Sequence, residues 1–99
     1  MKPEIHEEND IITVRGKAVV EIASALSSET RIKILEYLKD KEADIGQIAE
    51  LINQSKANAS AQMRILEKYG LVKTTYKPGI RGVKKICTST VREIRLILK

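Results

Sequence analysis

The sequence predicts a mainly helical α+β fold, with four helices, a small β-hairpin and a closing helix in the order α-α-α-α-β-β-α. Two observations support this fold class. Apolar residues recur at helical spacing in successive segments, several of which begin at a residue able to cap a helix. A run rich in β-branched residues then surrounds a Gly/Pro turn, which is typical of a hairpin. The 99 residues suffice for one domain with a modest core.

The first two helices are predicted from the period of their apolar residues. The segment from Gly16 to Leu26 follows the i, i+3, i+4, i+7 rule. Ser28 is a suitable N-cap for a second, amphipathic helix that runs to about Lys39. Upstream of both, the pattern from Asp10 to Val14 is compatible with a short strand or with an early helical turn.

The third and fourth helices are separated by a very short connection. A capping box opens the third helix at Asp44, and this helix stops near Asn53. Ser55 caps the fourth helix, which continues to Tyr69 before Gly70 ends it. Only two residues lie between the two helices. Such a tight turn is typical of a helix-turn-helix, whose second helix is available to enter the major groove of DNA.

The rest of the chain predicts a hairpin and a last helix. Leu71 to Lys77 and Val83 to Thr88 are two short strands around a turn at residues 78–82, so the hairpin forms a wing. Ser89 to Leu98 is predicted as a closing helix with one apolar stripe. We therefore divide the chain into an acidic N-terminal segment (1–15), a winged helix-turn-helix domain (16–88) and a C-terminal dimerisation helix (89–99).

Charge is distributed unevenly along the chain. Residues 1–10 carry one lysine and four acidic residues, and residues 11–52 carry six basic and seven acidic residues. Residues 53–99 carry eleven basic and two acidic residues, so the net charge of +5 resides in the C-terminal half. This asymmetry favours a polyanionic partner, although a solvated, lysine-rich surface has the same composition.

The runs ALSSETRIKILEYL, DIGQIAELI and SKANASAQMRILEKYGLVK, followed by a basic hairpin, resemble the ArsR-type winged helix-turn-helix regulators over roughly residues 18–88. The resemblance implies a homodimer built by the first and last helices, a recognition helix in the major groove and a wing along the flanking DNA backbone. The cysteine, histidine and acidic motifs of the metal-sensing members are missing, and the run PGIRGVKKIC looks like the small archaeal members. No metal or other cofactor is therefore expected.

The fourth helix divides into two faces at about 100° per residue. Its predicted core face consists of Ala59, Met63, Leu66 and Tyr69. On the opposite face and in the first turn, small residues permit close approach to base edges, asparagine pairs with adenine, and arginine reaches guanine or phosphate. These candidate DNA contacts are Lys56, Ala57, Asn58, Ser60, Ala61, Arg64 and Lys68. An ordinary solvated helix face is the alternative interpretation.

The wing adds candidate phosphate contacts at Lys77 and Arg81 and, on the returning strand, at Lys84. Because side chains alternate along a strand, Lys84 and Lys85 point to opposite faces, and we favour Lys84 as the DNA contact.

An apolar surface on the first and closing helices predicts a homodimer, since its burial between two chains would stabilise an interface. Its members are Val19, Val20, Ile22, Val91, Ile94, Ile97 and Leu98. The alternative is that the closing helix packs only on its own domain.

Two isolated residues have more than one interpretation. Cys87 is interpreted as a small core or interface residue, with a redox role or an intersubunit disulfide as alternatives. His6 lies among acidic residues near the N-terminus, which favours a solvated, frayed end over a metal site. One cysteine and one histidine are too few soft ligands for a zinc site within one chain.

Together these observations predict a homodimeric transcription regulator, expected to be a repressor, that binds specific sequences of double-stranded DNA. No catalytic constellation is recognisable, so we do not expect an enzyme. Sequence-tolerant architectural DNA binding and a winged-helix protein-interaction module are the alternatives. No membrane span or signal peptide is recognisable, so we expect a cytoplasmic, nucleoid-associated protein. The sequence identifies no small-molecule effector.

Overall fold

A computed structural model describes residues 4–98 and contains four helices and two small sheets. The helices occupy the middle of the chain, and strands lie on both sides of them. The helices are α1 (Lys17–Leu26), α2 (Glu29–Leu38), α3 (Ile45–Ile52) and α4 (Lys56–Lys68). The strands are β1 (Ile5–Glu8), β2 (Ile11–Val14), β3 (Lys73–Gly79), β4 (Gly82–Thr88) and β5 (Glu93–Leu96).

The helix starts confirm the predicted caps. Ser28 accepts a hydrogen bond from the backbone N–H of Arg31 at 3.3 Å, and Ser55 accepts one from Asn58 at 3.1 Å. Asp44 and Gln47 form the complete reciprocal capping box. These bonds satisfy N–H groups that have no partner within the helix, which is why short polar residues mark the boundaries in the sequence.

The N-terminal segment forms a β-hairpin. Asn9 and Asp10 take positive φ angles of 54° and 66° between β1 and β2, a conformation that asparagine and aspartate tolerate better than most residues. The pattern from Asp10 to Val14 was compatible with a strand or a helical turn, and the structure has a strand there. The expectation that His6 lies in a frayed end is wrong, because His6 is part of β1 and pairs with Thr13.

The predicted closing helix is wrong, because residues 93–96 form strand β5. This strand pairs in parallel with β2, in a register that places Ile94 beside Ile12, and the sheet order is β1-β2-β5. The backbone N–H of Ile97 donates to the carbonyl of Val14 at 2.8 Å. Isoleucine and valine at spacing three favoured a helix, but the β-branched run also suits a strand once a partner strand is available.

The core lies between the helices, the N-terminal sheet and the base of the second hairpin. It buries Ile12 and Val14 from β2 and draws the remaining members from all four helices, the segment between α2 and α3, the segment after α4, and β4. The buried hydrophobic cluster consists of Ile12, Val14, Ala18, Ile22, Ile34, Leu38, Ala43, Ile48, Ala49, Ala59, Met63, Leu66, Leu71, Val72 and Cys87. Cys87 is fully buried, in agreement with its preferred interpretation as a core residue.

Candidate nucleic-acid interface

The helix-turn-helix consists of α3, a two-residue turn with its flanking cap, and α4. Asn53 ends α3 with φ and ψ of 55° and 48°, in the left-handed region, and its backbone N–H donates to the carbonyl of Glu50 at 3.2 Å. The N–H of Gln54 donates to the carbonyl of Ala49 at 3.0 Å. These bonds close α3 and redirect the chain within one turn, so that Ser55 can start α4 immediately.

The two faces of α4 are separated as the sequence predicted. Ala59, Met63 and Leu66 are buried, each with at most 2 % exposure. Tyr69, the fourth residue predicted on the core face, is half-buried and packs against the core. The opposite face is open to solvent over most of the candidate DNA contacts. The exposed candidates are Lys56, Ala57, Asn58, Ala61, Arg64 and Lys68, whereas Ser60 is half-buried.

Gln62, beside this face, has a structural role. Its side-chain oxygen accepts a hydrogen bond from the guanidinium of Arg31 at 2.9 Å. The same guanidinium donates to the carbonyls of Ala25 at 2.6 Å and Ser24 at 3.2 Å. One arginine therefore links the end of α1, the start of α2 and the middle of α4, which fixes the orientation of the exposed face.

The second hairpin, β3 and β4, forms the wing. Gly79 pairs with Gly82, so that only Ile80 and Arg81 form the loop at its tip. Lys77 lies directly opposite Lys84. Residues directly opposite one another in a pair of strands project to the same face, so these two cations are neighbours on one side of the wing.

The base of the wing is joined to the segment between α2 and α3. The N–H of Ala43 donates to the carbonyl of Cys87 at 3.1 Å, and the N–H of Cys87 donates back at 2.7 Å. This bridge places the two acidic neighbours of Ala43, Glu42 and Asp44, beside the wing. Glu42 lies 2.6 Å from Lys77, and Asp44 lies 3.5 Å from Lys84, measured between carboxylate oxygen and Nζ.

The two acids contact residues of the candidate site, and the sequence did not predict these contacts. From the sequence, Asp44 is predicted only as the cap of the third helix, and Glu42 has no predicted role. The available signal was the pair of acids flanking Ala43, together with lysines on both strands of the predicted hairpin. The pairing also separates Lys84 from Lys85, which lies opposite Tyr76 on the other face of the wing.

Asp44 is held ionised by its surroundings. The backbone N–H of Gln47 lowers the pKa of the Asp44 carboxyl, partial burial opposes this effect, and Lys84 lowers the pKa further. The same carboxylate therefore caps α3 and pairs with the wing, which couples the position of the wing to the start of the helix-turn-helix.

A groove of about 560 Å³ lies between the start of α3 and the start of α4. Asp44, Gly46 and Lys56 are among its lining residues. A Cβ added to Gly46 would lie 3.5 Å from Cε of Lys56, so the two residues are in close proximity. Because Lys84 reaches Asp44, the wing, the groove and the first turn of α4 form one continuous surface.

The predicted dimer residues are only partly available to a second chain. Val20 and Leu98 are strongly exposed, at 71 % and 90 %. Val19, Val91, Ile94 and Ile97 are half-buried. Ile22 is fully buried in the core of its own chain, so the structure removes it from the surface on which it was predicted.

An apolar groove of about 210 Å³ runs beside these residues, between α2 and the segment that leads into β5. Its apolar lining consists of Leu26, Ile32, Leu35, Val91 and Ile94.

Among residues 4–98, no group of three or more His, Cys, Asp and Glu side chains is arranged to hold a metal ion. The described helices include none that is long and apolar enough to cross a membrane.

Residues 28–74 match the family model described as bacterial regulatory protein, arsR family. The matched segment begins at the cap of α2 and ends in β3, so it contains the whole helix-turn-helix.

Solved structures resemble the chain over a larger span. Reduced HlyU from Vibrio cholerae is 27 % identical, with a TM-score of 0.60 over 71 % of this chain and 70 % of that chain. The homodimeric winged helix-turn-helix DNA-binding domain of Mb0332 from Mycobacterium bovis is 25 % identical, with a TM-score of 0.61 over 73 % and 63 %. Rv0081 from Mycobacterium tuberculosis shares the fold at 24 % identity, with a TM-score of 0.65 over 76 % and 72 %.

Proposed function

We propose that this chain, which carries the helix-turn-helix of the arsR family of bacterial regulatory proteins over residues 28–74, binds double-stranded DNA as a homodimer and regulates transcription. The helix α4 enters the major groove, and the wing follows the adjacent phosphates. The observation that carries this proposal is the division of α4 into a buried apolar face and an open face of small and cationic residues.

Base recognition is assigned to the first three turns of α4. Asn58 has the amide geometry for a bidentate pair with adenine, and Arg64 has the guanidinium for guanine or phosphate. Ala57 and Ala61 permit close approach and contact thymine methyl groups. The complete set of proposed DNA contacts is Lys56, Ala57, Asn58, Ser60, Ala61, Arg64 and Lys68 from α4, with Lys77, Arg81 and Lys84 from the wing.

The regulatory outcome is repression, since a dimer that covers a promoter excludes other proteins from it. The proposal also locates the protein at the chromosome, where nonspecific phosphate contacts hold a cationic protein between specific sites.

Selection of bound duplexes from random DNA tests the proposal. We expect an enriched palindrome whose half-sites are about one helical turn apart, because each subunit presents one α4. Binding should weaken steeply with salt, since displaced counterions accompany each phosphate contact. Equal binding of selected and random duplexes would favour the architectural alternative, and no duplex binding would overturn the proposal.

A matched pair of variants assigns the binding to α4. Arg64→Ala should weaken binding to the selected duplex by roughly tenfold or more, as expected for loss of one base or phosphate contact. Lys33→Ala removes one exposed cation from α2 and should leave the affinity nearly unchanged. Equal losses in the two variants would mean that net charge, rather than α4, determines the binding.

The dimer surface is proposed to combine α1 with the C-terminal strand region. Val19 and Val20 contribute from α1, while Val91, Ile94, Ile97 and Leu98 contribute from and around β5. The interface is therefore a helix beside a strand, in place of the two helices that the sequence predicted.

Two valines of nearly equal exposure provide the test of this surface. Val20, at 71 %, lies on α1, and Val83, at 72 %, lies on the wing. In analytical ultracentrifugation, Val20→Lys should shift the protein from dimer towards monomer, and Val83→Lys should not. A wild-type monomer at micromolar concentration would exclude the dimer, and an unshifted Val20→Lys dimer would exclude this surface.

A further inference from the structure

The tip of the wing carries two side chains, Ile80 and Arg81, on a hairpin end that is otherwise bare. Ile80 is fully exposed, at 105 %. Single exposed apolar side chains are common on protein surfaces, so the position of Ile80 is what makes it informative. It lies at the outermost turn of the hairpin, beside a cation, in a protein whose C-terminal half is strongly basic.

Two glycines make this tip narrow. A Cβ added to Gly79 would lie 3.2 Å from the carbonyl oxygen of Gly82, so a side chain there would require the backbone to shift slightly. Gly82 has a φ of 112°, which L side chains rarely adopt. The last pair of the hairpin therefore carries no side chain, and the two loop residues project beyond it.

The wing is also anchored at its base. The paired backbone hydrogen bonds of Ala43 with Cys87 join it to the helical body. The contacts of Lys77 with Glu42 and of Lys84 with Asp44 hold one of its faces. Because the base is fixed to the helical body, the tip can press against a bound molecule without the whole hairpin moving away.

The wing is joined through Lys84 to the surface that carries the recognition helix. Lys84 contacts Asp44, Asp44 lines the groove shared with Gly46 and Lys56, and Lys56 begins α4. When α4 occupies a major groove, the wing extends along this surface towards the neighbouring minor groove. That groove is only about 6 Å wide in B-form DNA, so a bare, narrow tip suits it better than a hairpin with side chains on its last pair.

We propose that Ile80 inserts as an apolar wedge between two base pairs from the minor groove beside each half-site, with Arg81 in the groove next to it. This inference rests on the proposed DNA-binding function and extends it to DNA deformation. Apolar side chains inserted in this way unstack one base step and kink the duplex towards the major groove. An arginine in a narrow minor groove is favoured by the strong negative potential there.

The wedge makes Ile80 a specificity-determining residue without a hydrogen bond to any base. Pyrimidine–purine steps such as TA and CA unstack most easily, so they are the sites at which insertion costs least. Duplexes selected by the wild-type protein should therefore carry such a step at a constant distance outside each half-site.

DNA bending by the full-length chain provides the test. With the selected duplex labelled at both ends, energy transfer should report a bend within the range of about 20–90° known for side-chain wedges. Ile80→Ser should remove most of this bend. It should also lower affinity for duplexes that contain the flexible step by about fivefold, and much less for duplexes in which a stiff step replaces it.

Tyr76→Ser is the matched control, because Tyr76 is another exposed apolar residue of the wing, at 67 %, located several residues from the tip. It should leave the bend unchanged. An unbent complex with the wild-type protein, an Ile80→Ser complex as bent as the wild type, or an equal loss in Tyr76→Ser would each overturn the wedge while leaving the proposed function intact. Failure of the wild-type protein to bind any duplex would overturn both.

Discussion

The recognition helix and the wing both present cations to solvent, and they hold them differently. On α4, Arg64 and Lys56 form no ion pair with any residue in the range 4–98. On the wing, Lys77 and Lys84 are each paired with a carboxylate from the segment before α3. A phosphate can approach the cations of α4 directly, whereas it must compete with acids for the cations of the wing.

This difference indicates that the cations of the wing and those of α4 have different roles. The wing lysines orient the hairpin against the helix-turn-helix, and their attraction to phosphate is reduced by the nearby acids. In the proposed complex, the small residues and cations of α4 form the surface that approaches DNA closely. Substitutions in the two regions should therefore change DNA affinity by different amounts, and some should change it in opposite directions.

The largest effect is expected from an acid placed on the open face of α4. Ala61→Glu adds bulk and negative charge where the helix approaches the duplex, and should weaken binding by on the order of 100-fold, since like charges across an interface cost several kcal/mol. Fluorescence anisotropy with the selected duplex measures this loss, and circular dichroism checks the fold. Ala61→Ser is the control for a polar side chain without charge or bulk. Retained affinity in Ala61→Glu would remove α4 from the interface.

A smaller effect, on stability, is expected from the residue that couples the wing to α3. Asp44→Ala removes the cap of α3 and the partner of Lys84, and should lower the free energy of unfolding by about 1 kcal/mol. Asp44→Asn keeps a capping oxygen and should lose less. Urea denaturation compares the three proteins, and equal stability of wild type and Asp44→Ala would show that neither contact contributes.

The same carboxylate makes the stability depend on pH. The N–H of Gln47, and to a smaller extent Lys84, lower the pKa of Asp44 below the ordinary 3.8. A pKa that is lower in the folded state stabilises the fold above the unfolded-state value, and this contribution is lost as pH falls through the folded value. Below about pH 4, wild-type stability should therefore fall more steeply than that of Asp44→Asn. Parallel curves would contradict a lowered pKa.

The smallest effect is expected from release of a wing lysine. Glu42→Gln removes the acid that lies 2.6 Å from Lys77 and should increase DNA affinity by about threefold at low salt, because an exposed ion pair is worth only about 0–1 kcal/mol. Glu36→Gln removes an exposed acid from α2 and should change the affinity less. A decrease in affinity for Glu42→Gln would mean that the ion pair positions Lys77 for contact with DNA. Substitutions in the wing and in α4 would then change the affinity in the same direction.

Local features of this protein could be predicted from its sequence with good accuracy. The caps at Ser28, Asp44 and Ser55 act through hydrogen bonds that span three residues, so the sequence contains both partners of each bond side by side. The buried and open faces of α4 follow from helical period alone. The helix-turn-helix and the exposure of most candidate contacts on α4 could therefore be predicted from the sequence.

Features that depend on distant partners were decided only by the tertiary structure. The β-branched run that contains Val91, Ile94 and Ile97 suits a helix or a strand, and only pairing with β2, about eighty residues earlier, makes residues 93–96 a strand. Ile22 follows a helical period that identifies an inward face, but not whether that face meets its own core or a second chain. The pairing of Lys77 with Glu42 likewise joins residues 35 positions apart. Periodicity specifies how one segment is shaped, whereas pairing and burial depend on which other segments the folded chain brings beside it.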